Sequence, residues 1–255
     1  MAVERIYLLN TGEARVEDAS IYSPGVDVGQ PRTLSCNAYL IRRQGAWLLW
    51  DTGLEDDLAG TPGGKIVAHG IRGIVTRPLA TQLAEIGIVP ADIATVALSH
   101  AHFDHVGNCK LFPHARWIVQ KAEHDAMFGA EPESYGFLPH LYEAVRNGRV
   151  ELHEGDADLL GDDSVRLIST PGHTPGHSSL LVRLPSGPVL LSGDVAHFEE
   201  NFRQRRVPAF NVDAMATRAS MDKVDAILKV EGARLWINHD GAQTARLPHA
   251  PLWIE

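Results

Sequence analysis

The residues with the clearest potential for chemistry lie in one short segment, residues 99–108. Within six consecutive positions it holds three histidines and an aspartate, namely His100, His102, Asp104 and His105. In an extended chain His100 and His102 point to the same side, whereas Asp104 and His105 follow a turn and can face a second point nearby. Imidazole nitrogens and carboxylate oxygens suit Zn²⁺, and also Fe, Mn or Co. The spacing therefore predicts two neighbouring metal sites rather than a solvated polar loop.

Three further residues of metal-ligand type, His173, Asp194 and His239, each follow an apolar, strand-like run. Because α/β proteins bind their ligands at the ends of strands, we expect these residues to join the first four. Three terminal ligands and a shared carboxylate leave each ion an open position for a shared hydroxide, which is typical of a catalytic site. The predicted sets are His100, His102 and His173 for one ion, Asp104, His105 and His239 for the other, and Asp194 between them.

Strand-like runs and helical periodicity alternate along the chain without a linker, which favours one α/β domain of packed layers over residues 1–255. The runs typical of strands are residues 5–9, 36–42, 47–50, 93–98, 117–119, 165–169, 179–184, 189–192 and 235–238. The segments with helical spacing are residues 78–86, 121–128, 141–146 and 214–230. Residues 59–64 and the rest of 129–149 are predicted to be irregular.

Composition excludes several classes of protein. A hydrophobic fraction of 44% and a charged fraction of 22% are those of a globular chain. The net charge of −9 disfavours nucleic-acid binding, and no apolar run is long enough to predict a membrane helix. The first nine residues are typical of a strand rather than of a signal peptide. Cys36 and Cys109 are expected to be reduced thiols of a cytoplasmic protein, with Cys109 packed in the core.

At this point the motifs together resemble the metallo-β-lactamase superfamily. The similarity in order and spacing extends from Asp51-Thr52-Gly53 to His239 and includes the sequences HAHFDH, TPGH, GD and NHD. The resemblance implies a four-layer αβ/βα sandwich with a dinuclear metal site at one edge of the packed sheets, with Zn²⁺ as the first choice of metal. The fold alone does not fix the substrate, because it supports many chemistries.

Within that superfamily the chain is most similar to the quorum-quenching N-acyl-homoserine lactone lactonases. The similarity rests on Phe103, on Asp194 in the bridging position, and on residues 194–202 and 207–213. It implies a hydrolase that opens N-acyl-L-homoserine lactone to N-acyl-L-homoserine by attack of hydroxide held between two metal ions. Those lactonases typically carry a Tyr three residues after the bridging Asp, whose hydroxyl contacts the lactone carbonyl, and here that position is His197.

The resemblance and the chemistry together predict roles for residues around the metals. An imidazole at His197 can donate a hydrogen bond to a developing oxyanion, and Asp104 can pass a proton to the leaving alkoxide. Candidate substrate contacts are Phe103, Tyr22, Phe198 and Phe202. Candidate supporting residues are Asp51 at the sheet edge, with His177 and Asp240 orienting ligand imidazoles.

Several alternatives remain open from sequence. The site would also suit hydrolysis of another lactone, an ester or a phosphotriester. A thioester hydrolase like glyoxalase II is disfavoured because only 16 residues, with one Arg, follow His239. A nuclease is disfavoured by the charge, and a metal-binding sensory module by the complete ligand set. The expected partner is a small-molecule lactone, and the sequence does not separate a monomer from a homodimer.

Overall fold

The computed structural model describes residues 3–255, so the first two residues of the predicted domain lie outside it. Eight strands form the larger sheet, in the order β4-β5-β1-β2-β3-β6-β7-β8. The strands β3, β6, β7 and β8 run parallel to one another, and the remaining neighbours are antiparallel. Their bounds are β1 Arg5–Val16, β2 Arg32–Arg43, β3 Ala46–Trp50, β4 Lys65–Ala68, β5 Ile71–Ile74, β6 Thr95–Ala97, β7 Arg116–Gln120 and β8 Arg149–His153.

Five strands form the smaller sheet, in the order β13-β12-β11-β10-β9. Its last pair, β12 and β13, is parallel, and the other neighbours are antiparallel. The bounds are β9 Ala157–Asp158, β10 Val165–Ser169, β11 Ser178–Leu184, β12 Gly187–Leu191 and β13 Arg234–Trp236.

Helices cover the outer faces of both sheets. The longest, α6, begins after Asp213, whose carboxylate accepts from the N–H groups of Met215 and Ala216, and ends at Gly232 with a φ of 63°. Both features are ordinary start and stop signals of a helix. The helices are α1 Leu79–Glu85, α2 Phe103–Val106, α3 Lys121–Phe128, α4 Glu143–Arg146, α5 Glu199–Gln204, α6 Ala214–Glu231 and α7 Gly241–Thr244. Along residues 3–255, no helix is long and apolar enough to cross a membrane.

Successive side chains of a strand point to opposite faces of its sheet, and this alternation separates the hydrophobic core into layers. Ile6 and Leu8 of β1 point into a core shared with Leu167 of β10 in the other sheet. Tyr7 and Leu9, one position on, point into a second core that includes residues of α1 to α4. A third core packs α6 on the outer face of the smaller sheet. The order is therefore helix, sheet, sheet, helix, which confirms the predicted four-layer sandwich.

Most predicted elements agree with the structure, and α3 and β10 have the predicted bounds. The sequence patterns did not predict β4, β5, β8, β9, α2, α5 and α7. The hairpin of β4 and β5 and the edge strand β8 are short and partly exposed, so they carry little of the apolar alternation that reveals a strand. The elements that matter for the site, β3, β6, β10, β12 and β13, all end near one edge of the two sheets.

Candidate metal centre

The ends of strands from both sheets are tied together at the site. β6 leads directly into Ser99, whose carbonyl accepts from Ser178 N at 2.9 Å and so joins the two sheets. His102 then precedes α2 in an extended conformation, and Asp104 and His105 lie within that short helix. This succession of strand, extended residue and helix directs four side chains into the protein, where they are buried. They are those of His100, His102, Asp104 and His105.

A first group forms around the side chain of His102. Its Nδ1 lies 3.0 Å from His100 Nε2 and 3.0 Å from His173 Nε2. Asp194 Oδ2 lies 3.4 Å from His173 Nε2 and 3.8 Å from His100 Nε2. These four residues offer ligand atoms that all lie within 4.8 Å of one another.

A second group lies on the other side of Asp194. Its Oδ1 is 3.1 Å from His105 Nε2 and 3.0 Å from His239 Nε2, and the two imidazole nitrogens are 3.4 Å apart. Asp104 Oδ2 lies 3.6 Å from His239 Nε2. One carboxylate thus faces both groups, and the structure brings together all seven residues that the spacing proposed as ligands.

Hydrogen bonds on the outer side of the rings fix which nitrogen faces inward. A carbonyl or carboxylate oxygen can only accept, so the ring nitrogen beside it carries the proton and the other nitrogen keeps its lone pair. The inward nitrogens of three rings are therefore the ones placed to bind a cation. The pairs are His102 Nε2 with Tyr135 O at 2.9 Å, His105 Nδ1 with Asp51 Oδ2 at 2.8 Å, and His239 Nδ1 with Ser35 O at 2.7 Å.

Asp51 also orders the ring of His100 through a serine. Ser99 donates its hydroxyl hydrogen to Asp51 Oδ2 at 2.7 Å, and its backbone N–H donates to Asp51 Oδ1 at 2.7 Å. Since that hydroxyl hydrogen is in use, His100 Nδ1, 3.0 Å away, donates to Ser99 Oγ. The lone pair of His100 therefore also lies on Nε2, which faces the first group.

The donor set fits two divalent cations. Within residues 3–255 the buried Asp194 Oδ1 accepts no directed hydrogen bond, and the inward nitrogens of His105 and His239 lie 3.1 and 3.0 Å from it, an arrangement that suits a bound cation. Burial lowers the pKa of His102 to about 4 and also lowers the pKa values of His100 and His173, so these rings are in the neutral, metal-binding form.

Electrostatics at the second group also favour a cation. Burial lowers the pKa of His105, but the Asp194 and Asp51 carboxylates outweigh it and raise that pKa to about 10. The same competition, with Asp194 as the principal carboxylate, raises the pKa of His239. Without a metal ion the carboxylates therefore favour the protonated forms of both rings, and a cation bound at the two Nε2 atoms would displace those protons.

A narrow cavity that is open to solvent lies directly over the two groups. Tyr22, Phe103 and Phe210 line it, with His69 at the turn between β4 and β5. The imidazole of His69 stacks on Phe210 with ring centroids 5.8 Å apart. A second, roomier cavity shares Phe103 as part of its lining and is otherwise largely apolar.

The four candidate substrate contacts divide into two pairs. Tyr22 and Phe103 line the cavity over the metal groups. Phe198 instead packs edge-on against Tyr22, with ring centroids 5.7 Å apart. Phe202 lies in the core with Met221 of α6. Only the first pair is placed to touch a molecule bound over the metal groups.

The other predicted residues lie close to the site but make different contacts. His177 Nε2 accepts from the backbone N–H of Asp194 at 2.7 Å, so it holds the bridging residue rather than a ligand imidazole. Asp240 caps α7 by accepting from Gln243 N at 2.9 Å. His197 Nε2 lies 3.2 Å from Asp194 Oδ2, and its Nδ1 is buried without a partner in the described chain.

Sequence reasoning missed several groups that touch the site. Ser35 and Tyr135 act through backbone carbonyls, which no side-chain pattern reveals. Cys36 lies with Sγ 3.7 Å from Asp104 Oδ2, and burial raises the pKa of its thiol to about 12. Glu123 is 1% exposed although it lies on a short helix, where a glutamate ordinarily faces solvent.

Sequence comparisons agree with this geometry. A profile of the metallo-beta-lactamase superfamily matches residues 31–234. An N-acyl homoserine lactonase from a Bacillus species is 30% identical over 247 residues, which cover 94% of each chain. The N-acyl homoserine lactonase AiiA of Bacillus thuringiensis subsp. kurstaki is 29% identical over the same span, again 94% of each.

Structural comparisons extend the similarity to the whole chain. An N-acyl homoserine lactone hydrolase with N-hexanoyl-L-homoserine bound at its catalytic metal centre aligns with a TM-score of 0.87 and 26% identity over 100% of both chains. A variant of B. thuringiensis AiiA with N-decanoyl-L-homoserine at the active site gives the same values. The chain therefore belongs to the metallo-beta-lactamase superfamily, within which it is a relative of the N-acyl homoserine lactonases.

Proposed function

We propose that this protein is a dinuclear metal-dependent lactonase that opens the ring of an N-acyl-L-homoserine lactone and releases N-acyl-L-homoserine, a quorum-quenching reaction. The observation that carries the proposal is the convergence of two groups of ligand atoms on the two oxygens of Asp194, directly beneath a cavity. The full-length similarity to N-acyl homoserine lactonases selects this chemistry among those that the fold supports.

The ligands of the two ions follow from the two groups. The first ion would be held by His100, His102 and His173, the second by Asp104, His105 and His239, with Asp194 shared. Imidazole and carboxylate donors favour Zn²⁺, with Fe, Mn and Co as the alternatives. Divalent ions held there would supply Lewis-acid activation of the lactone carbonyl and of water.

Asp104 is the residue placed to handle the proton of the reaction. Its carboxylate lines the cavity and borders the second group, while the Cys36 thiol lies beside Oδ2. Hydrolysis adds the elements of water across the ring C–O bond, so the leaving alkoxide needs one proton. We propose that Asp104 Oδ1 receives that proton from the attacking water and passes it to the alkoxide.

Two side chains in the cavity could donate a hydrogen bond to the carbonyl oxygen as it gains charge. His197, the donor predicted from the sequence, directs its Nε2 at Asp194 Oδ2, 3.2 Å away. Tyr22 lies beside it, with ring centroids 4.8 Å apart, and brings a phenol to the cavity. Burial raises the pKa of Tyr22 well above its usual value, so the hydroxyl keeps its proton at neutral pH. We assign the principal donor role to Tyr22.

The second cavity is suited to the acyl chain. It shares Phe103 with the cavity over the metal groups, and most of its lining is apolar: Leu54, Leu58, Ile66, Val67, Leu138 and Leu141. An acyl tail that crossed Phe103 would bury methylene groups there while the lactone ring remained over the metal groups.

A panel of substrates tests the proposal against its alternatives. Hexanoyl- and decanoyl-homoserine lactones are assayed beside an aryl ester, a phosphotriester and a glutathione thioester on protein of measured metal content. We expect the two lactones to give the highest kcat/KM. A higher value for the thioester would instead indicate a hydrolase like glyoxalase II. Full metal content with no hydrolysis of any substrate would contradict enzymatic function.

A further inference from the structure

The carboxylate of Glu123 lies buried between the two loops that carry the first metal group. Its Oε1 accepts from Ala101 N at 2.9 Å. Its Oε2 accepts from Thr174 Oγ1 at 2.8 Å and from Gly176 N at 2.8 Å. Glu123 belongs to α3, a helix that contributes none of the seven proposed ligands.

The donors to Glu123 are neighbours in sequence of the proposed ligands of the first ion. Ala101 is the residue between His100 and His102, and Thr174 directly follows His173. These two loops come from different sheets, one after β6 and the other after β10. The two oxygens of one carboxylate therefore hold the two parts of the first group at a fixed separation.

Backbone packing makes this separation rigid. A Cβ atom added at Gly176 would lie 2.2 Å from Glu123 N and 2.7 Å from Glu123 Cβ. The turn that contains Gly176 thus rests directly on the first turn of α3, without an intervening side chain. The carboxylate and this close contact together leave the loop little freedom to move relative to Ala101.

The hydrogen bonding favours the ionised form of the carboxylate. Three donors meet two oxygens, and a protonated oxygen would oppose one of them with its own hydrogen. An ionised group is costly to bury unless it is fully hydrogen-bonded, and burial raises the pKa of Glu123 to about 7. A neutral side chain would fill the same space with a smaller desolvation free energy. The presence of a carboxylate at this buried position therefore points to a more specific role.

We propose that Glu123 is a positioning residue that sets the distance between His173 and the pair His100 and His102, and thereby the affinity of the first metal ion. The second ion, beside His105 and His239, does not depend on it. This inference rests on the dinuclear site proposed above.

Glu123→Gln is the direct test because it keeps the shape of the side chain. The amide oxygen can accept from Thr174 and Gly176, but the amide NH₂ then faces the N–H of Ala101. The measurement is the number of Zn²⁺ ions retained per chain during titration with a competing chelator. We expect the first ion to bind about 10- to 100-fold more weakly, as is typical for groups that orient ligands, and the second to bind as in the wild type.

Asp56→Asn is the matched control. The Asp56 carboxylate also accepts hydrogen bonds from two backbone N–H groups, those of Leu79 at 2.7 Å and Ala80 at 3.0 Å. These contacts anchor the start of α1, and neither involves a metal group. We expect this variant to lose thermal stability while it retains both ions with wild-type affinity. Such a result separates positioning of the first group from a general loss of buried hydrogen bonds.

Thr174→Val gives a milder test should Glu123→Gln fail to fold. It removes one donor to Glu123 and is expected to weaken the first ion about three- to tenfold. Two ions of wild-type affinity in a folded variant, or an equal weakening of both, would overturn the inference. A wild-type chain that binds fewer than two ions overturns the site itself, and the inference with it. Two bound ions without lactone hydrolysis would overturn only the proposed function.

Discussion

His105 donates the hydrogen of its Nδ1 to Asp51 Oδ2 across 2.8 Å, and this contact turns its Nε2 toward Asp194. Asp51 follows β3, while His105 follows β6, the neighbouring parallel strand. The same carboxylate accepts two further hydrogen bonds from Ser99. Asp51 therefore orients the rings on both sides of the dinuclear site, although it is not itself placed to bind either ion.

Asp51→Asn should weaken metal binding without removing a ligand. The amide NH₂ must face either His105 Nδ1–H or the Ser99 donors, so at least one ring loses its fixed orientation. We expect about 10- to 100-fold weaker Zn²⁺ binding and a similar loss of kcat/KM. The control is Asp92→Asn, an exposed carboxylate that accepts from Val89 N at 2.8 Å. Equal affinities in the two variants would contradict an orienting role.

Asp194→Asn should remove both ions together. Oδ1 faces the second metal group, and Oδ2 lies 3.4 Å from His173 Nε2 of the first group and 3.1 Å from His239 Nε2 of the second. An amide can present only one acceptor oxygen to these nitrogens. We expect less than one ion per chain under conditions where the wild type retains two, with loss of hydrolysis in parallel. His102→Ala, which removes a ligand of the first ion alone, should leave one ion in place. A folded Asp194→Asn protein with two ions would show that the carboxylate does not bridge.

Tyr22→Phe tests the proposed donor in the cavity while it preserves the aromatic packing. We expect kcat to fall about 100-fold with little change in KM, since a single donor to an oxyanion typically contributes that much. His197→Gln is the comparison, because its Nε2 already lies at Asp194. If His197→Gln lowers kcat for the metal-loaded enzyme and Tyr22→Phe does not, the donor is His197 instead.

Phe103→Ala tests the position of the acyl chain. Phe103 is shared by the cavity over the metal groups and the second, apolar cavity. Losing contact with two methylenes costs about 1.6 kcal/mol, so KM for the decanoyl substrate should rise about tenfold or more. The hexanoyl substrate serves as the internal control and should change less. An equal rise in KM for both substrates would show that the acyl chain does not contact Phe103.

The metal centre was predictable from sequence because its side chains follow strands. His100 and His102 come directly after β6, and His173, Asp194 and His239 follow strands of the smaller sheet, so the fold must bring them to one edge. A ligand residue needs a particular side chain and a position just after a strand, and both of these can be recognised in the sequence.

The surroundings of the ligands were less predictable because their chemistry is carried by backbone or by tertiary burial. Ser35 and Tyr135 accept from imidazoles through carbonyl groups that every residue possesses. Glu123 resembles an ordinary surface residue of a helix until the turn after His173 packs over it. The hairpin that places His69 against Phe210 has strands of four residues each, too short to show periodicity.

The central claim is that lactone hydrolysis depends on the two metal groups joined by Asp194. The most direct measurement is a pH-stat assay of hexanoyl-homoserine lactone with protein as prepared, after chelation, and after return of Zn²⁺, Mn²⁺ or Co²⁺. We predict one proton released per ring opened, loss of activity as the ions leave, and recovery as two ions per chain return. Undiminished hydrolysis by metal-free protein, or none by protein holding two ions, would contradict the account.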